Sequence, residues 1–226
     1  MRHAWLWLLG LFACGAAQAA DMIRLVYQDS DPGTAPYVTR MLITPQYMRI
    51  DHGRASEDFI LLDRRARRVY SVSHDMRQIL LLKQARVPAV LPHPWRVASR
   101  VTPLRRGTLR QEIRVNGKLC ATLVLTDKLF PAAVAAQREY LQVLAATQWR
   151  TWRNTPADMR DPCDLALQVT DIPMQFAHGL LLQEQDADGR LRSIQEEGRV
   201  PLDPKLFVLP QGYQTLEPAK LLAGAR

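Results

Sequence analysis

The amino-acid sequence predicts an α+β fold on an antiparallel sheet, and three observations carry the prediction. Short apolar runs alternate with polar turns from Met22 to Lys83, an Asn116-Gly117 pair sits between two alternating runs, and one stretch of helix formers spans Pro131 to Trp152. Connections this short make successive strands antiparallel neighbours, whereas parallel strands need long crossovers.

Ahead of the first strand, basic Arg2 precedes an apolar run from Ala4 to Ala13 and small residues around Gln18, the three-part plan of a cleavable export signal over residues 1–20. The run is about ten residues, short of the roughly 20 needed to cross a bilayer as a helix, and Asp21 follows instead of a basic stop-transfer cluster. A second processing route stays open, because Leu11-Phe12-Ala13-Cys14 is similar to a lipobox, although Phe12 is bulky for that site. Residues 21–226 then read as a single domain, long enough for one sizeable core.

The chain carries 30 basic and 22 acidic residues, and loss of Arg2 with the signal leaves a net charge of +7. In an exported protein this favours anionic membrane surfaces or acidic polymers and argues against nucleic acid, with Arg-rich turns that merely keep the fold soluble as the plainer reading. Removal of Cys14 leaves Cys120 and Cys163, which pair in an oxidising compartment. The bridge closes a loop of about 44 residues.

Strands are read at Met22 to Gln28, Tyr37 to Ile43, Gln46 to Asp51, Asp58 to Asp63, Val69 to Ser73 and Gln78 to Lys83. Alternation gives one inward set that would line a hydrophobic pocket: Met48, Ile50, Ile60, Leu62, Tyr70, Val72, Ile79 and Leu81, with Arg49 and Ser71 facing the other way. Phe59 to Leu62 and Ile79 to Leu82 are apolar on both faces, so the sheet there is covered twice or keeps one oily side for a ligand. Residues 86–107 hold Pro88, Pro92, Pro94 and Pro103 with Trp95 and several arginines, and read as a long proline-rich loop or flap. Asn116-Gly117 then turns a hairpin of Leu109 to Val115 and Leu119 to Thr126.

The helix of about 131–152 starts at Pro131, and Val134, Arg138, Leu141, Ala145 and Trp149 repeat at three or four. Trp149 and Trp152, beside Arg150 and Arg153, are read as anchors of the helix against the sheet. Strands return at Leu165 to Thr170, Gly179 to Gln185 and Leu191 to Glu196. Between the last two, Asp186-Ala187-Asp188-Gly189 is a hairpin turn, since Arg190 and Arg192 stand at the fifth and seventh positions of a calcium loop begun at Asp186.

No nucleophile elbow, Walker loop, dinucleotide fingerprint, zinc helix or paired-cysteine metal motif occurs, and His52, His74, His93 and His178 are scattered. Nothing asks for a metal or a cofactor. Carboxylates such as Glu196 with Glu197, or Asp161 with Asp164, leave a hydrolase as a lesser alternative.

Three segments then carry a likeness: Ile43-Thr44-Pro45-Gln46-Tyr47-Met48-Arg49-Ile50-Asp51, the hairpin of Phe59 to Asp63 with Arg68 to Val72, and the closing Leu202-Asp203-Pro204 with Leu206 to Tyr213. Through them, residues 22–215 resemble a family of exported bacterial proteins related to the LolA/LolB periplasmic lipoprotein carriers. The resemblance implies a strongly curved antiparallel sheet, a half-barrel with helices packed on its concave face, and a hollow able to shelter acyl chains. The proline-rich insertion and the cysteine pair depart from the carriers.

The expectation is therefore a non-enzymatic periplasmic binding protein for a hydrophobic or amphiphilic ligand, whether lipid, acyl chain or lipoprotein segment, in envelope maintenance or sensing. Arg96, Arg100, Arg105 and Arg106 would meet an anionic headgroup at the pocket mouth. The alternative is an envelope module that recruits a partner protein on an exposed strand edge.

Overall fold

The computed structural model describes residues 20–54, 56–87 and 91–218; all but the last residue of the segment read as an export signal, Cys14 included, lies outside the described residues. Twelve strands, among the described residues, form one open sheet that is antiparallel except at one end. Six follow in meander order: β1 (Asp21–Ser30), β2 (Tyr37–Ile43), β3 (Tyr47–Asp51), β4 (Phe59–Asp63), β5 (Arg68–Ser73) and β6 (Gln78–Lys83). The second half holds β7 (Val97–Pro103), β8 (Thr108–Val115), β9 (Lys118–Thr126), β10 (Leu180–Asp186) and β11 (Leu191–Pro201), and β12 (Gln214–Leu216) closes against β6 in parallel. The spatial order is β12-β6-β5-β4-β3-β2-β1-β11-β10-β9-β8-β7, so the first strand joins the two halves.

Two segments differ from the sequence reading. The proline-rich stretch at 86–107 is not all loop, because Val97–Pro103 forms β7 on the sheet edge. An edge strand needs ladder bonds on one side only, which is where proline is tolerated, so Pro103 ends the strand without breaking the sheet. Residues 165–170 are helical instead of extended. Asp161 accepts a hydrogen bond from the Cys163 backbone N–H at 2.8 Å, and Pro162 opens α2 (Pro162–Leu165), continued by a wider turn over Ala166–Thr170 and by α3 (Ile172–Gln175). The alternation of Leu165, Leu167 and Val169 reads as strand, yet Ala166 between them is buried too, so the burial does not alternate as in a strand.

The long helix α1 runs Pro131–Asn154 and lies on one face of the sheet. Ala133, Ala136 and Val143 pack against Ile23, Leu25, Met41, Ile43, Met48, Leu62 and Val69, while Arg138, read as part of the inward repeat, is exposed. Arg64 fastens the helix to the sheet, since its guanidinium donates to both oxygens of Glu139 at 2.7 and 3.3 Å.

The opposite face is also covered. Phe59, Leu61, Val72 and Ile79 pack under the C-terminal segment through Phe207, and buried Arg49 donates to the Leu206 carbonyl at 2.9 Å and to Asp51 at 2.6 Å. Both faces of the central strands are thus apolar because both are roofed.

The register divides the eight residues read as one inward set. Leu62 pairs with Val69 and Val69 with Leu82, while Ile60 pairs with Ser71. Met48, Ile50, Ile60 and Leu62 therefore face the helix, whereas Tyr70, Val72, Ile79 and Leu81 face the other way and Ser71 lies on the helix side. A shift of one residue across a turn exchanges the two faces completely, and strands apolar on both sides give no pattern against which to detect it.

The Cys120–Cys163 bridge forms, tying β9 to α2. Gly179, at φ +106, lets the chain enter β10 where any Cβ would collide with the Thr126 carbonyl.

Candidate functional site

Between α1 and the sheet lies a cavity of about 450 Å³. Met41, Met48, Ile50 and Ile60 form its floor on the first half of the sheet, and Leu123 and Leu181 on the second. Tyr140, Leu141 and Leu144 come from α1, and Leu167 and Phe176 from the α2–α3 segment. The disulfide forms part of the wall, so the bridge that holds α2 in place also shapes the cavity.

Through this apolar floor runs one polar row. Cross-strand pairing places Asp29 opposite Arg192, Arg192 opposite Glu184, Glu184 opposite Leu123 and Leu123 opposite Gln111, all on the helix side. Asp29 is fully buried, takes two hydrogen bonds from the Arg192 guanidinium at 2.7 and 3.1 Å, and accepts the Thr39 hydroxyl at 2.6 Å. Tyr27, also fully buried, donates to the Leu181 carbonyl at 3.0 Å. The Gln137 amide reaches in from α1, and its nitrogen has no hydrogen-bond partner among the described residues.

Burial pushes the Asp29 carboxyl up, but the hydrogen bonds and charge of Arg192, with Thr39 and Arg190, outweigh it and hold the group below the ordinary carboxylate range. Asp51, on the other face, behaves likewise: burial raises it, and the donors of Arg40, Arg49 and the Gly53 N–H bring it lower. Glu184 goes the other way, because desolvation exceeds the attraction of Arg192 and Arg190. Asp164 is raised by partial burial and by Asp161 and Asp188 beside it.

These opposite shifts fix the sign of a pH dependence. Asp29 and Asp51 stabilise the fold fully above the unfolded carboxylate value of about 4, and that contribution is lost as pH falls through their depressed folded values. Glu184 and Asp164 contribute below the unfolded value and lose the contribution as pH rises through their raised folded values. Urea midpoints measured along a pH series should therefore rise on mild acidification from neutrality and collapse below about pH 4.

Of the residues read as pocket from the sequence, Met48, Ile50 and Ile60 line the cavity, and Leu62 lies beneath the helix outside the lining. Tyr70, Val72, Ile79 and Leu81 are on the far face. Arg96, Arg100, Arg105 and Arg106 are exposed along β7 and the turn after it, away from the lining. The charges at the cavity are instead Asp161, Asp164, Glu184, Asp186 and Asp188, with Arg190 and Arg192 committed to Asp29 and Asp31.

Tyr27, Asp29, Gln137, Glu184 and Arg192 were missed. Arg190 and Arg192 stood out only as residues spoiling a calcium loop, and nothing local tells that their partner is some 160 residues earlier. Trp149 is buried with Leu165 and Val169, and Trp152 stacks on it at 5.7 Å while donating to the Asp161 carbonyl at 3.0 Å, so the pair anchors the helix to the α2 segment and not to the sheet.

No family model matches the chain, and no curated protein matches it. Similar solved structures include PNGF-II in two crystal forms, with TM-scores of 0.43 and 0.41 and identities of 12% and 9%. Those likenesses cover 91% and 90% of this chain but 32% and 33% of the other, so the chain spans about a third of the length of PNGF-II. Another is the LolA superfamily protein NE2245 from Nitrosomonas europaea, with a TM-score of 0.32 and 8% identity over 85% of this chain and 91% of that one. At these levels the functional reading rests on the cavity's own residues.

Proposed function

We propose that this is an exported, non-enzymatic binding protein that takes a hydrophobic or amphiphilic ligand, a lipid or an acyl chain, between α1 and the sheet. On this reading the helix side of the sheet is the hollow of a half-barrel, and the protein works in the periplasm, where its disulfide is stable. The observation that carries the reading is the cavity itself: aliphatic walls from both halves of the sheet and from α1, with polar groups set among them. An apolar tail would rest on Met41, Met48, Ile50, Ile60 and Leu144, and the polar end would meet Gln137, Glu184 and the aspartates. The acidic lining favours an uncharged or cationic polar end over an anionic one.

Mass spectrometry of organic extracts from native protein tests the reading: a co-purifying lipid or acyl species is expected, and an empty extract from protein purified without detergent counts against it. Filling the cavity gives a sharper result. Ile60→Trp with Leu144→Trp should weaken binding of an apolar probe about tenfold or more, because displacing some 60 Å² of apolar contact at roughly 25 cal/mol per Å² already costs that much.

One observation favours a second, acid–base reading: Glu184 and Asp164, both with raised carboxyls, line the same cavity. Turnover of chromogenic ester or glycoside substrates that is abolished by Glu184→Gln would replace the binding reading with a hydrolase.

A further inference from the structure

The cavity leaves the most basic part of the chain unused. From Arg96 to Arg114 the sequence has six arginines against Glu112 alone, a net of five positive charges. The structure concentrates these residues at one margin of the sheet. β7 is the last strand in the spatial order and pairs with β8 alone, and nearly all of it is exposed. Arg100 stands opposite Glu112 and on one face with Arg110 and Arg114, which approach the Glu112 carboxylate at 3.7 and 3.5 Å. Arg105 and Arg106 form the single turn that follows β7, and Lys128 packs its ammonium against Gly107 in that turn.

Apolar side chains are exposed along the same edge, with Val101 on the opposite face of β7 from Arg100 and Leu104 at the strand's end. Val101 in the strand is 37% exposed and Leu104 beside the arginine turn is 44% exposed. Arg106 occupies a left-handed backbone position at φ 60, where asparagine or glycine is the easier residue. Exposed aliphatic groups flanked by arginines, with almost no acid among them, have the composition of a surface that rests in the headgroup region of an anionic bilayer.

We propose that the β7 edge and the Leu104–Gly107 turn dock this protein onto an anionic phospholipid surface, the arginines on phosphate and the Val101 and Leu104 side chains in the interface. Charge complementarity selects this occupant: the acidic lining of the cavity repels such a surface, so contact is confined to the β7 margin. The proposal is independent of what the cavity holds.

Co-sedimentation with vesicles tests it. The wild-type chain should sediment with phosphatidylcholine vesicles containing phosphatidylglycerol and not with phosphatidylcholine alone, and the binding should fade above about 0.5 M salt as screening shortens to a few ångströms. At about fivefold per arginine, Arg100→Ser with Arg105→Ser and Arg106→Ser should lower the partition coefficient on the order of 100-fold. Val101→Ser with Leu104→Ser should lower it several-fold and leave binding to heparin unchanged. Melting midpoints and N-phenyl-1-naphthylamine titrations of all variants should match wild type, which separates this result from any failure of the cavity reading. Equal sedimentation with neutral vesicles, full binding by the arginine variant, or indifference to loss of Val101 and Leu104 would each overturn the proposal.

Discussion

Removing the Cys120–Cys163 bridge, by reduction or by serine at both positions, is expected to cost about 4 kcal/mol of stability by the chain-entropy argument for a loop of this length. The two cysteines are 43 residues apart, and the segment between them contains the whole of α1, so the unfolded chain regains the freedom of a long loop. In a domain of this size the loss corresponds to a fall of roughly 8–16 °C in melting temperature. A thermal scan with and without reductant measures it. The effect also reaches the cavity, because α2 is held to β9 by this bond and both cysteines form part of the wall. Apolar probe binding should weaken on reduction at temperatures where the fold is still intact, a result that a bridge remote from the site would not give.

The second large effect is expected at Asp29. Replacing it by alanine leaves the Arg192 guanidinium, 17% exposed, without its bidentate partner in an apolar floor, and breaking a buried pair from one side costs about 3–5 kcal/mol. Asp29→Leu combined with Arg192→Met removes both charges and should recover most of that loss, since a well-packed apolar pair replaces a buried ion pair at little or no cost. Urea denaturation of the two single variants and the double variant gives the coupling directly. A double variant no more stable than Asp29→Ala would mean that the polar row acts as a larger network through Thr39, Arg190 and Glu184, and not as one pair.

What the sequence made legible and what it hid follow from the range of the interactions. The meander, the Asn116-Gly117 turn and the long helix are set by neighbours in the chain, and the left-handed backbone of Asn116 and Gly117 at φ 50 and 90 is what that dipeptide supplies most easily. The cysteine pairing was legible because only two cysteines lie outside the segment read as an export signal. The polar row was not, because its polar members come from β1, β8, β10 and β11 and meet only through sheet register. Arg49 illustrates the same limit. Alternation shows that it points away from Met48 and Ile50, but not that Asp51 and the Leu206 carbonyl enclose it there.

The helical course of 162–170 was hidden for another reason. The helical turns here are too short to show a repeating stripe, and the Asp161-Pro162 start signal is a single local cue set against the alternation of Leu165, Leu167 and Val169. The pocket assignment failed halfway for lack of register: four of its eight residues face α1 and four face the other way.

A binding role requires the cavity under α1 to accept an apolar molecule. Fluorescence titration of N-phenyl-1-naphthylamine into the wild-type chain and into the Ile60→Trp, Leu144→Trp variant tests this most directly. Saturable binding at a single site, displaced by a long-chain amphiphile and strongly weakened in the variant, is the predicted result. No saturable binding to the wild type, or equal binding to both proteins, would contradict it.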